Sequence, residues 1–152
     1  MAASAWRKYE IYPVNLGNKV YDMDGDVFKI ALYLSTSNAA TVTTNEVKGD
    51  LTNEHANANG YTTGGIEVTE TWTRSVGTTT FDCSDPVWTA SGGSIIARFA
   101  VLWDDTPASP LDPLIAYALL DTTPADVVVT DGNTLTLQIN ASGVFQVSGM
   151  TA

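Results

Sequence analysis

Along most of this chain apolar residues alternate with polar ones at a spacing of two, the side-chain period of a β-strand. The clearest run is residues 27–34, with Phe28, Ile30, Leu32 and Leu34 on one face and Lys29 and Tyr33 opposite. A turn precedes it at Asp22-Met23-Asp24-Gly25-Asp26. Residues 66–74 repeat the alternation, with Ile66, Val68 and Trp72 on one face, and residues 78–83 pair back after a turn at Gly77. A short strand at 87–89 follows Asp85-Pro86. Residues 95–103 are apolar on both faces apart from Arg98, which marks a central strand covered on two sides. Arg98 is expected to reach the rim or meet a carboxylate, because an unpaired buried charge is very costly. Residues 114–120 are equally apolar. Residues 126–130 and 134–139 flank Asp131-Gly132-Asn133 and read as a hairpin, since Asp-Gly supplies the positive φ angles of a tight turn. Residues 144–147 close the series.

Between these runs, turn residues recur at the short, regular spacing of a sandwich or barrel. The stretch 35–60 is polar and rich in Asn, Thr and Ala, and residues 45–54 within it read as a short helix. Long connections of this kind often carry contacts. The twenty-one threonines, with many Val and Ile, favour strand over helix, because β-branched side chains fit a pleated surface. The expected fold is therefore an all-β, antiparallel β-sandwich or jelly-roll-like single domain with at most one short helix. Residues 1–18 are set apart as an N-terminal contact arm and residues 19–152 form the sandwich domain. No internal repeat or linker divides the chain.

The length of 152 residues suits one domain, which can bury roughly two-thirds of its unfolded surface. Charge changes the picture more. Seven Lys and Arg against seventeen Asp and Glu leave a net charge of −10. The bases are scattered, and residues 99–152 contain none. Binding a phosphate backbone relies on clustered bases, so direct nucleic-acid binding is not expected, nor is electrostatic docking on an anionic membrane. The acidity reads first as solubility. No stretch reaches the roughly 18 apolar residues of a membrane span. The opening MAASAWRKYEIYPVNLG lacks the apolar core of a signal peptide, so the chain is expected to stay in the cytosol until it joins an assembly.

Candidate chemistry is sparse. His55 is the only histidine and Cys83 the only cysteine, which excludes an internal disulfide, a His-based triad and a multi-histidine zinc site within one chain. A Cys–His pair is formally open, but Cys83 falls in phase with Phe81 on a strand and reads as a buried, inert thiol. The 22–26 loop resembles the start of a calcium loop. Counted from Asp22, however, the glycine and glutamate positions of that pattern hold Val27 and Tyr33, so it reads as an acidic turn. Asp104 and Asp105 with Asp112 offer a weak cation signal between loops. Nothing singles out two carboxylates for glycoside hydrolysis. Gly64-Gly65 and Gly92-Gly93 lack the lysine and the following helix of a phosphate loop. Asn140-Ala141-Ser142 fits a glycosylation sequon and reads as chance in a chain without a secretion signal. No catalytic residue, cofactor or metal is expected, and the chain is read as a non-enzyme. Trp6, Trp72, Trp88 and Trp103 read as core or interface, with sugar stacking as the alternative.

Several segments, in order, resemble small virion-associated proteins of tailed bacteriophages. They are residues 27–33, 56–65, 87–90, 95–101, 113–117 and 131–135, and together they span about Asp22 to Phe145. The resemblance implies a component of a phage particle and supplies no catalytic residues. The favoured expectation is a capsid decoration or cement protein, located in the virion and assembled in the host bacterial cytoplasm. Its partners would be the major capsid protein and copies of itself, as a homotrimer or other homo-oligomer. Residues 2–18 and 35–60 are the expected contact segments. The alternative is a tail fibre, adaptor or host-recognition module, with exposed Trp and Tyr meeting a cell-surface glycan.

Overall fold

The computed structural model describes residues 3–123 and 126–148; residues 1–2, the outermost part of the expected arm, lie outside them. The architecture is all-β and antiparallel with one short helix, as the alternation predicts. In chain order the elements are β1 (Arg7–Lys8), α1 (Ile11–Gly17), β2 (Phe28–Tyr33), β3 (Ile66–Val68), β4 (Glu70–Ser75) and β5 (Thr78–Cys83). Then follow β6 (Val87–Thr89), β7 (Ile95–Ala97), β8 (Phe99–Asp104), β9 (Leu114–Leu119), β10 (Val127–Val129), β11 (Thr134–Thr136) and β12 (Phe145–Ser148).

A five-stranded sheet in the order β1-β9-β8-β2-β3 forms the centre. β2, β8 and β9 are buried on both faces, which explains their continuous apolar runs. One face supplies Phe28, Ile30, Leu32, Ala100, Leu102 and Ala116 to the main core. Opposite them pack Phe81 of β5, Trp88 of β6, Ile95 of β7, Val129 of β10 and Leu135 of β11. The other face supplies Ala31, Tyr33, Phe99, Val101, Trp103 and Tyr117 to a second core, closed by Tyr9, Ala39, Val42 and Leu51.

The two segments expected to make contacts lie against the body of the fold. Within 3–18, β1 adds to β9 with Arg7 opposite Tyr117, and Tyr9 and Tyr12 are buried. The helix α1 was not expected; Pro13 is tolerated there because it sits in the first turn, where its missing N–H has no partner to lose. The 35–60 stretch is tied down by its own polar side chains. Asn38 donates to the Asp50 carbonyl and accepts from the Thr52 amide, and Tyr9 donates to the Ala39 carbonyl. The helix expected over 45–54 is reduced to a 3₁₀ turn at Lys48–Asp50. The Asp50 carboxylate accepts the Glu46 and Val47 amides and so caps this single turn.

Three further expectations are corrected. The strand read over 66–74 breaks at Thr69: β3 joins the five-stranded sheet and β4 joins a three-stranded sheet in the order β12-β5-β4. The strand read over 95–103 breaks at half-buried Arg98, so that β7 and β8 also serve different sheets. The 126–139 hairpin keeps its turn, with Gly132 at φ +80° and the Asn133 amide bonded to the Thr130 carbonyl. Its two arms do not pair with each other: β10 pairs with β7 and β11 with β6. The Ala90 amide and carbonyl bond to Asn133 and Gly132, so the two strand pairs continue one another around a corner.

One glycine controls the joining of β3 to β2. Gly65 has φ +84°, and a Cβ there would run into the main chain of Ile30 and Ala31. Gly77, at the tip of the β4–β5 hairpin, has φ +79° with open space around it. Gly65→Ala is expected to cost about 2–4 kcal/mol, from backbone strain plus overpacking. Gly77→Ala should cost about 1 kcal/mol, from strain alone. Urea denaturation midpoints of the two variants would separate close approach from conformation.

Candidate functional site

A buried carboxyl with an unpartnered oxygen lies at the end of β8. Pairing with Phe28 of β2 places Asp104 at the last register position of the central sheet. Its side chain is fully buried, with 0% exposure. Oδ1 accepts the Thr106 amide at 3.0 Å, while Oδ2 has no hydrogen-bond donor. The neighbour it meets is the carboxyl of Asp26, itself held by the Asp22 amide to its Oδ2 at 2.6 Å. Burial pushes the Asp104 carboxyl up to about 8; the Thr106 amide opposes this and contact with Asp26 adds to it. A second carboxyl beside it disfavours the charged form of Asp104 further.

The local sequence explains the arrangement. The Asp22 carbonyl accepts the Gly25 and Asp26 amides, and its Oδ1 accepts the Asp24 amide at 3.3 Å, so the loop closes on itself. The Thr106 hydroxyl accepts the Val27 amide at 2.7 Å and ties the loop to the segment after Asp104. Outside lies an open groove of about 500 Å³ lined by Lys19, Tyr21, Asp22, Asp24, Asp26 and Trp72. Asp26 lines this groove and is the residue through which Asp104 adjoins it.

The weak cation signal at Asp104, Asp105 and Asp112 does not become a joint site among the described residues. Asp105 pairs with Lys29 at 2.6 Å, while Asp104 turns to Asp26. Among the described residues, no three His, Cys, Asp or Glu side chains form a ready-made metal cage.

Elsewhere the singled-out residues are built into the framework. His55 is buried, its Nδ1 lies 2.8 Å from the Ala56 carbonyl oxygen, and its ring rests on Tyr61. Cys83 belongs to the main core, where burial pushes its thiol up to about 12, far from the reactive thiolate form. Glu54 accepts from the Tyr61 hydroxyl, the Gly64 amide and Lys48, which pins the long connection to the sheet. Gly64 in turn accepts the Trp103 indole N–H at 3.3 Å, and Lys29 and Lys48 both approach the Trp103 ring. Trp88 and Trp103 are buried. Trp6 and Trp72 are half-buried against the main core. Trp6 lines a groove of about 790 Å³ together with Lys8, Gln138, Asn140, Ser142 and Phe145.

The sequence reading named Asp26 and Asp104 separately but did not join them. The signal that was present is the acidic 22–26 turn beside a polar residue ending an apolar strand.

No protein-family model matches this chain, and no curated protein or solved structure matches it either.

Proposed function

We propose that this chain is a non-catalytic structural protein of a tailed-phage particle, seated on the outside of the shell as a decoration or cement protein. The observation that carries the reading is the ordered set of sequence segments from Asp22 to Phe145. Support comes from the outer face of the paired β7 and β10 strands. Ile96 and Val128 lie directly opposite each other there and are 39% and 55% exposed. Val87 on β6 is exposed as well. An acidic surface suits the outside of a shell, away from packaged nucleic acid. The expected partners are the major capsid protein and further copies of the chain.

Val128→Asp is expected to leave folding stability within about 0.5 kcal/mol, as for most surface changes. It should weaken association with the particle, or with other copies, at least about tenfold. Sedimentation and particle co-pelleting would check both. Imaging of intact particles tests the location, and density for this chain on the tail alone would overturn the shell assignment.

One observation favours the tail reading. The Trp6 groove combines an aromatic ring with the amides of Gln138 and Asn140, chemistry that suits a saccharide. Glycan-array binding lost in Trp6→Ala would move the proposal to host recognition.

A further inference from the structure

We propose that Asp26 and Asp104 together bind a calcium ion, with Asp22 and Asp24 at the groove mouth drawing it in. The site is more than a cluster of surface acids. Asp104 is fully buried, and its Oδ2 lacks any donor, an arrangement that native proteins rarely leave uncompensated. Its side chain meets a second carboxyl, Asp26, that is itself held in place by the Asp22 amide. Neighbouring cations do not neutralise the pair in this structure. Lys29 is engaged by Asp105 at 2.6 Å, and Lys19 lines the outer groove.

The ligand type selects the ion. Every candidate donor is oxygen, with no histidine or thiol present, which disfavours zinc and copper. Two carboxylates, one from the 22–26 loop and one from the end of β8, suit calcium, whose coordination is flexible, better than magnesium, which demands near-ideal octahedral geometry. The inference does not depend on where the chain sits in a particle.

The experiment uses the whole chain, stripped with EDTA and titrated with calcium chloride at pH 7.5. Calorimetry and thermal melting are followed in parallel, with magnesium chloride and potassium chloride as controls. The expected result is one saturable calcium site with a melting midpoint raised by several degrees, and a magnesium effect at least tenfold weaker in concentration. Asp26→Asn, at a half-buried position, should fold and weaken calcium binding at least tenfold. Asp104→Asn should do the same if it folds. Glu10→Gln, an exposed carboxylate outside the site, should change neither. No calcium heat with an unmoved midpoint, or equal binding in wild type and Asp26→Asn, overturns the proposal.

Discussion

In buffer containing a chelator, the protein is expected to lose stability steadily as pH rises from about 5 to about 8. The sign follows from Asp104. Its folded-state carboxyl is pushed up to about 8, while the unfolded chain has the ordinary carboxylate value near 4. Between those values the native state keeps a proton that the unfolded state has released. Stability therefore falls with pH, by up to about 1.4 kcal/mol per unit from this one group, and levels off above the folded value. The groups facing Asp104 are Asp26, Tyr21 and Thr106, with the Lys29–Asp105 pair nearby. Burial also raises Asp112, which adds a slope of the same sign. Urea midpoints measured from pH 5 to 9 would record the trend. Asp104→Asn should flatten most of it and be more stable than wild type above pH 8. An unchanged slope in that variant would remove Asp104 as its source.

The second large effect is expected at Phe81. This ring is fully buried on β5 and packs against Phe28 at 5.2 Å, Phe145 at 5.3 Å and Trp72 at 6.4 Å between centroids. It thus joins the five-stranded sheet to all three strands of the β12-β5-β4 sheet. Phe81→Ala is expected to cost about 3–5 kcal/mol, combining lost transfer energy with a cavity between rigid sheets. Against a typical total of about 5–15 kcal/mol, that is a third or more of the stability of an ordinary domain. Phe81→Leu should lose distinctly less, since it refills most of the space. Guanidinium denaturation of the two variants would check the ranking.

Most strands were legible because alternation and β-branched residues report directly on a half-buried pleated surface. The central strands declared themselves by being apolar on both faces, as in the 114–120 run. What alternation does not carry is the partner of each strand. Nothing at Thr69 or Arg98 announces that a strand leaves one sheet for another, because side chains keep their period through the change. The Asp131-Gly132-Asn133 turn was legible for the same local reason that its pairing was not. A turn needs only positive φ, whereas the strands beside it bond to β6 and β7, thirty or more residues earlier in the sequence. The short helix expected over 45–54 shrinks to one turn at Lys48–Asp50, and Leu51 after it returns to extended backbone, a break that the polar composition of the stretch does not announce. The Asp26–Asp104 contact joins residues far apart in the chain, so each looked like an ordinary turn acid on its own.

The order of strands in the central sheet also dictates the sequence of events during folding. Among the described residues β1 pairs with β9 alone, with Lys8 opposite Ala116, and β2 lies between β3 and β8. A chain emerging from the ribosome therefore cannot complete this sheet until residue 119 is free, and the apolar faces of β2 must wait for their cover. Such non-local pairing places folding on the millisecond-to-second scale typical of sandwiches, slower than local helical folds. During that interval the exposed edge of β2 is open to other chains, so a high rate of synthesis favours aggregation over yield.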